Sequence, residues 1–373
     1  VARADLFQDL QLKRQEADQH SKAAELEALA AKARGDPWGL CVPSSCGHSE
    51  VKFGIMPALT GLEPRHLVGV EDVEPWSTVP ADFVIVGFAK SGTSTLAAAL
   101  HRHPQVVLAG CEQDNEVCEH AFWTTELRHQ FLPSSVHLRK LVELYREATG
   151  AGRALRTVRG LKDSRVLERD RWLRQVSFIP GVRVLAVIRD PIDALESHYN
   201  DMECWRILPM LEMARRGLTD CLERSSWGRG WGNWADRLEK LLSLFPQKNV
   251  FMVHLSVLVQ PSEDQLRTWR SLARFLGVDT EGFYSRSPPE DGSVLVNVHA
   301  KNRQQHERKV FDLCAAENEV TLQLLKRQYA PQYPRLAGLL RRVGAKVPAE
   351  LQLRRTRCEQ VGMNHGNGTL SSE

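Results

Sequence analysis

A loop that carries one lysine and several hydroxyl groups follows the first apolar run of the chain that is typical of a buried strand. Residues 83–86 are all apolar, and the loop spans residues 87–95. Its two glycines allow a tight turn, in which backbone N–H groups point at an anion, and the helix that follows adds a partial positive charge. The sequence therefore predicts a phosphate site, with the candidate residues Lys90, Ser91, Gly92, Thr93, Ser94 and Thr95.

This loop differs from the Walker A motif, in which lysine directly follows the second glycine. Here Lys90 precedes Gly92, and Thr93 takes the place of the Walker lysine. A kinase or NTPase also needs carboxylates for Mg²⁺, and Asp190 is the one obvious candidate. The spacing disfavours a P-loop kinase, which stays as an alternative.

A second candidate phosphate site follows the apolar run at residues 183–188. Arg189 ends the run, Pro191 stands where a helix would begin, and Ser197 lies two turns into that helix. A guanidinium fork and a hydroxyl group that converge on one ligand suit a phosphate.

The strands and helices predicted around these residues indicate an α/β fold. Buried-strand patterns occur at residues 83–86, 183–188 and 249–254, and helical patterns lie at residues 231–245 and 263–276. Apolar strands separated by helices predict a mainly parallel sheet with helices on both faces.

The wider organisation divides the chain into four segments. Residues 1–34 have the composition of an N-terminal helix or stem, and residues 35–80 read as an irregular connector. The catalytic domain is predicted to span residues 81–345 and a C-terminal tail residues 346–373.

Taken together, the two motifs resemble those of sulfotransferases that use 3′-phosphoadenosine 5′-phosphosulfate (PAPS). The family's first motif, Lys-x-Gly-Thr-[Thr/Ser]-x-Leu after a buried strand, matches residues 90–96 in full. Its second motif places Pro two residues and Ser eight residues after an Arg, as Arg189, Pro191 and Ser197 do. The resemblance implies a P-loop-like fold, a 5′-phosphate held by the first loop, a 3′-phosphate held by Arg189 and Ser197, and Lys90 as a catalytic cation.

Weaker similarities point to the heparan-type carbohydrate branch of that family. Residues 118–123 resemble Lys-Glu-x-His-Phe-Phe, in which the Glu is the catalytic base. The resemblance implies this role for Glu119, although Cys118 and Ala121 depart from the motif. Glu116 is a rival, and a third alternative is that neither carboxylate is catalytic.

Two further cations follow from the same branch resemblance. Lys162 falls where the branch has Glu-Lys-[Ser/Thr]-Pro, which implies a second catalytic lysine facing the sulfonate. Residues 301–303, Lys-Asn-Arg, resemble a Lys-Gly-Arg phosphate loop and make Lys301 and Arg303 candidate cofactor ligands.

Composition limits the remaining classes of function. The 49 basic and 46 acidic residues give a net charge of +3, too balanced to indicate a nucleic-acid partner. No Cys or His spacing indicates a metal site, and no apolar run reaches the ~20 residues of a membrane span. The chain begins at Val1, so a missing N-terminal anchor is the one route to a membrane that we retain.

Eight cysteines and one glycosylation sequon at Asn367 favour a disulfide-bonded glycoprotein of the secretory pathway, such as the Golgi lumen. A cytoplasmic protein with buried thiols is the alternative.

The resulting hypothesis is in-line transfer of a sulfonate from PAPS to a hydroxyl or amine of an acceptor, with a Glu as general base. A carbohydrate is the favoured acceptor and a small natural product the runner-up. A non-catalytic nucleotide-binding scaffold is the alternative from another class of protein.

Overall fold

The computed structural model of this chain describes residues 74–111, 122–123, 133–149, 157–215, 233–260, 262–283 and 311–353. The chain divides into two compact units. The first comprises Val1–Thr78 with Thr125–Lys140, and the second comprises Val79–Thr124 with Leu141–Glu373. The predicted helix at residues 1–34 lies outside the described residues, and the four predicted segment boundaries stay predictions.

The second unit is built on a parallel sheet of five strands in the order β2-β3-β1-β4-β5. The strands are β1 (Phe83–Gly87), β2 (Val106–Leu108), β3 (Val158–Lys162), β4 (Arg183–Ile188) and β5 (Val250–His254). Strand β1 is central and buried along its whole length. It lies between β3 and β4, and β2 and β5 are the outer strands.

Helices follow the strands and flank the sheet. They are α1 (Thr93–His101), α2 (Ser135–Thr149), α3 (Asp170–Ser177), α4 (Pro191–Asp201), α5 (Met210–Arg215), α6 (Trp234–Leu244), α7 (Leu255–Val259), α8 (Glu263–Leu276), α9 (Glu319–Tyr329), α10 (Gln332–Arg342) and α11 (Ala349–Leu353). Helix α2 crosses the boundary between the two units. Within the described ranges, no helix has the length and apolar character that a membrane crossing requires.

The main core fills one face of the sheet. Alternate residues of β1 and β4, such as Phe83 and Leu185, contact a cluster formed with Leu96 of α1 and Trp269 of α8. The intervening residues of these strands point to the opposite face and are also fully buried. Burial on both faces is the arrangement expected for strands that are apolar along their length.

Local sequence signals fix the ends of two helices. The carboxylate of Asp190 accepts hydrogen bonds from the N–H groups of Ile192 and Asp193 at 2.9 and 3.0 Å, and Pro191 is the first residue of α4. Helix α8 ends at Gly277, whose φ of 73° is the left-handed conformation that glycine adopts readily.

The predicted fold class, α/β with a mainly parallel sheet, is confirmed. The predicted strands at residues 83–86 and 183–188 and the helix at residues 263–276 agree with β1, β4 and α8. Two strands, β2 and β3, were not predicted. Strand β2 has only three residues, and Arg159 and Gly160 interrupt the apolar pattern of β3.

Candidate active site

The candidate site lies where β1, β3, β4 and β5 end. These carboxyl ends carry, directly or within one to three residues, Lys90, Lys162, Arg189 and His254. Ligands of open parallel α/β sheets bind in the crevice at this edge. The fold therefore brings together the first loop, the second motif and the lysine of β3, although these lie far apart in the sequence.

The first loop is held in an open turn by its own backbone. Lys90 and Gly92 have φ values of 60° and 103°, and the Phe88 N–H donates to the Ser91 hydroxyl at 3.2 Å. A Cβ at residue 92 would overlap the side chain of Leu255. Glycine is required here both for the backbone conformation and for this close approach.

Helix α1 begins directly after this turn and presents its N-terminus to the site. Gly92 occupies the capping position, and no side chain caps the helix. The first N–H groups of a helix have no partner within it, so they favour an anion. Thr93 is buried in this first turn, and Ser94 and Thr95 are half-buried there.

Two lysines lie at the loop: one is part of it, and the other ends the neighbouring strand β3. Lys162 is only 1% exposed, and its ammonium donates to the Ser94 hydroxyl at 2.8 Å. The Lys90 ammonium forms an ion pair with Asp201 at 2.7 Å, at the end of α4. Lys162, which the branch resemblance predicted as a second catalytic lysine, therefore lies beside the loop, and its catalytic role stays a prediction.

Arg189 joins the two predicted phosphate motifs. Its guanidinium Nη1 donates to the Lys90 carbonyl oxygen at 3.2 Å. Ser197 is half-buried on α4, one helical turn before Asp201. The second motif therefore adjoins the first loop, as one ligand with two anionic groups would require.

His254 is a site residue that the sequence interpretation missed. Its Nδ1 accepts a hydrogen bond from the Ser256 N–H at 3.3 Å, and burial together with the charge of Arg189 lowers its pKa to about 3. The imidazole is therefore neutral and carries its proton on Nε2. That nitrogen is buried and has no hydrogen-bond partner among the described residues. The sequence feature that could have identified His254 is its position as the last residue of an apolar strand.

Asp190, the carboxylate considered for Mg²⁺, has a structural role instead. It accepts the two N–H groups that cap α4, and burial raises its pKa. Within the described ranges, no group of three or more His, Cys, Asp or Glu residues could hold a metal ion.

Several predicted site residues lie outside the described residues: Glu116, Glu119, Lys301 and Arg303. Their roles stay predictions. Phe122 and Trp123, which end the segment containing Glu119, are buried and pack ring edge against ring face at 5.2 Å.

A buried carboxyl group lies beyond the end of β3. Glu168 is 5% exposed, and burial raises its pKa to about 9 in spite of Arg165 and two further arginines nearby. The side chain is therefore neutral at pH 7.

A family model described as a sulfotransferase domain matches residues 80–312. No curated protein sequence matches the chain.

Three solved structures resemble the chain at low sequence identity. A sulfotransferase from Alicyclobacillus acidocaldarius is 19% identical, covering 74% of this chain and 99% of that one, with a TM-score of 0.45. The sulfotransferase domain of the Synechococcus PCC 7002 olefin synthase is 16% identical, with coverages of 69% and 95% and a TM-score of 0.34. The sulfotransferase STF9 from Mycobacterium avium is 13% identical, with coverages of 72% and 78% and a TM-score of 0.37.

Proposed function

The chain belongs to the sulfotransferase family, and we propose that it transfers a sulfonate group from PAPS to a hydroxyl or amine of a carbohydrate acceptor. The observation that carries the proposal is the convergence of three cations on one loop. Lys90 lies in the loop, Lys162 donates to Ser94, and Arg189 donates to the Lys90 carbonyl.

The residues at this edge of the sheet fit a ligand with two phosphate groups. The turn at Gly92 and the uncapped start of α1 would hold the 5′-phosphate. Arg189 and Ser197 would hold the 3′-phosphate, since a guanidinium and a hydroxyl group both donate to phosphate oxygens. The resemblance adds Lys301 and Arg303 to the cofactor ligands.

Bound PAPS supplies an activated sulfonate on a phosphate leaving group. Transfer of such a group depends mainly on positioning and on compensation of charge, by analogy with phosphoryl transfer. Among the described residues, Lys90 and Lys162 place their ammonium groups at the loop, and they would offset charge on the sulfonate and on the departing phosphate. The low exposure of Lys162 strengthens this interaction, because water screens buried charges less.

The general base would be Glu119, with Glu116 as the rival, because the acceptor must lose a proton as the new bond forms. This assignment rests on the resemblance to the carbohydrate branch. A small natural product is the alternative acceptor.

The proposed setting is the secretory pathway, with the Golgi lumen as the favoured compartment and the cytoplasm as the alternative. The cysteine count and the sequon at Asn367 support it.

Nucleotide specificity tests the cofactor part of this proposal. We expect saturating adenosine 3′,5′-bisphosphate (PAP) to raise the melting temperature by several degrees, because a ligand at 100 times its dissociation constant adds roughly 2.7 kcal/mol. Mg-ATP should give no comparable shift, and Arg189→Ala should abolish the shift with PAP. A shift with Mg-ATP alone would instead favour a kinase-like enzyme.

A further inference from the structure

The ion pair between Lys90 and Asp201 occupies the position where the proposed reaction needs a cation. The two charged atoms are 2.7 Å apart, and the side chains are 18% and 36% exposed. Asp201 is the last residue of α4 and follows Ser197 by one helical turn. A carboxylate therefore lies on the helix that also carries the proposed 3′-phosphate ligand, within contact distance of the loop lysine.

The helix itself disfavours a carboxylate at this end. The C-terminus of a helix carries a partial negative charge, which repels an acidic side chain in the last turn. Met202, the following residue, closes the helix through backbone hydrogen bonds, so Asp201 is not needed as a cap. The Lys90 ammonium compensates for the unfavourable position of this carboxylate.

The main chain and the side chain of Lys90 are held by different partners. The carbonyl oxygen accepts a hydrogen bond from Arg189, and the backbone has a φ of 60°, which is uncommon for a residue other than glycine. The ammonium group stands at the end of a flexible four-carbon stem. It can therefore exchange one anionic partner for another while the loop keeps its conformation.

We propose that Asp201 is a positioning residue that holds the Lys90 ammonium until the sulfonate donor replaces its carboxylate. The proposal rests on the proposed function. Donor binding then exchanges a lysine–carboxylate pair for a lysine–phosphosulfate contact, and Asp201 acts as a built-in competitor of the donor. Removing this competitor should tighten the binding of any ligand that occupies the 5′-phosphate position.

The test uses calorimetric titration of the full chain with PAP. Asp201→Asn keeps the shape of the side chain and removes its charge, and we expect the dissociation constant for PAP to fall about fivefold. Asp201→Glu keeps the carboxylate and should bind PAP as the unaltered protein does. Glu212→Gln, which breaks an exposed ion pair with Arg215, is the matched control and should leave the affinity unchanged.

A double-mutant cycle separates an effect through Lys90 from the general effect of removing a negative charge. In a Lys90→Ala background, Asp201→Asn should change the dissociation constant less than twofold. Equal tightening in both backgrounds would overturn the proposal, and so would unchanged or weaker binding by Asp201→Asn in a protein whose melting temperature is retained. Absence of PAP binding by the unaltered protein would instead contradict the proposed function.

Discussion

Glu168 provides a test of how burial changes a carboxyl group of this fold, and the test needs no substrate. The residue ends a short 3₁₀ helix, Val166–Glu168, that follows β3. Burial raises its pKa to about 9, and the nearby positive charges of Arg165, Arg169 and Arg237 are too weak to offset that effect. One carboxyl oxygen, Oε2, has no hydrogen-bond partner among the described residues. Glu168→Gln replaces the neutral acid by a neutral amide of similar shape.

The expected gain in stability follows from the difference between the folded and unfolded pKa values. Ionisation at a pKa of 4.5 stabilises the unfolded chain at neutral pH, whereas the folded protein keeps the proton up to a pKa of about 9. Neutral pH lies about 2.5 units above the unfolded value, so the penalty in unfolding free energy is about 3 kcal/mol. At pH 5 the penalty falls to about 0.8 kcal/mol. Stability from this residue is therefore present below pH 4.5 and is lost as the pH rises towards 9.

Urea unfolding of both proteins at pH 5 and pH 7 measures this difference. Glu168→Gln should raise the unfolding free energy by about 3 kcal/mol at pH 7 and by less than about 1 kcal/mol at pH 5. Glu281→Gln, at an exposed position, should change it by less than about 0.5 kcal/mol at either pH. Destabilisation by Glu168→Gln at pH 7 would contradict the neutral state of Glu168 in the folded protein, because it would show an ionised carboxylate paired with the arginines.

Two further predictions concern Lys162, the proposed catalytic cation of β3, and the buried histidines. Lys162→Met should lower kcat about 10²-fold or more and raise the dissociation constant for PAP much less, because the proposed role of the lysine is to offset charge that develops during transfer. Steady-state kinetics and titration measure the two effects. Equal losses in kcat and affinity would assign Lys162 to ground-state binding. Burial lowers the pKa of His198 to about 4 and that of His254 to about 3, so only the unfolded chain takes up these protons below pH 6.5. Measured in the Glu168→Gln background, the unfolding free energy should therefore fall between pH 6.5 and pH 4, and a constant value across this range would contradict the assignment of neutral imidazoles.

The parts of the fold that sequence alone predicted are those with strong local signals. An apolar run identifies β1 and β4, and a helical pattern of apolar residues identifies α8. Strand β3 gives no such signal, because Gly160 interrupts it. A Cβ at that position would overlap the ring of Phe83 on β1, so the glycine reflects packing between strands rather than local preference.

The same distinction applies to the site. The loop residues and Arg189 follow apolar strands in recognisable patterns, so the sequence alone predicted that they share the carboxyl edge of the sheet. The proposed role of Asp201 was missed because it depends on a contact with Lys90 across the fold. His254 was missed because a histidine at a strand end does not itself show that its side chain is buried or that its Nε2 lacks a partner among the described residues.

Transfer of radiolabelled sulfonate from PAPS to desulfated polysaccharides is the most direct test of the proposed sulfotransferase activity. We expect the protein to label at least one polysaccharide, and we expect Lys90→Ala to abolish the labelling while the protein stays folded. Binding of PAP without labelling of any polysaccharide or small hydroxylated acceptor would contradict it, and would identify the chain as a nucleotide-binding protein without transferase activity.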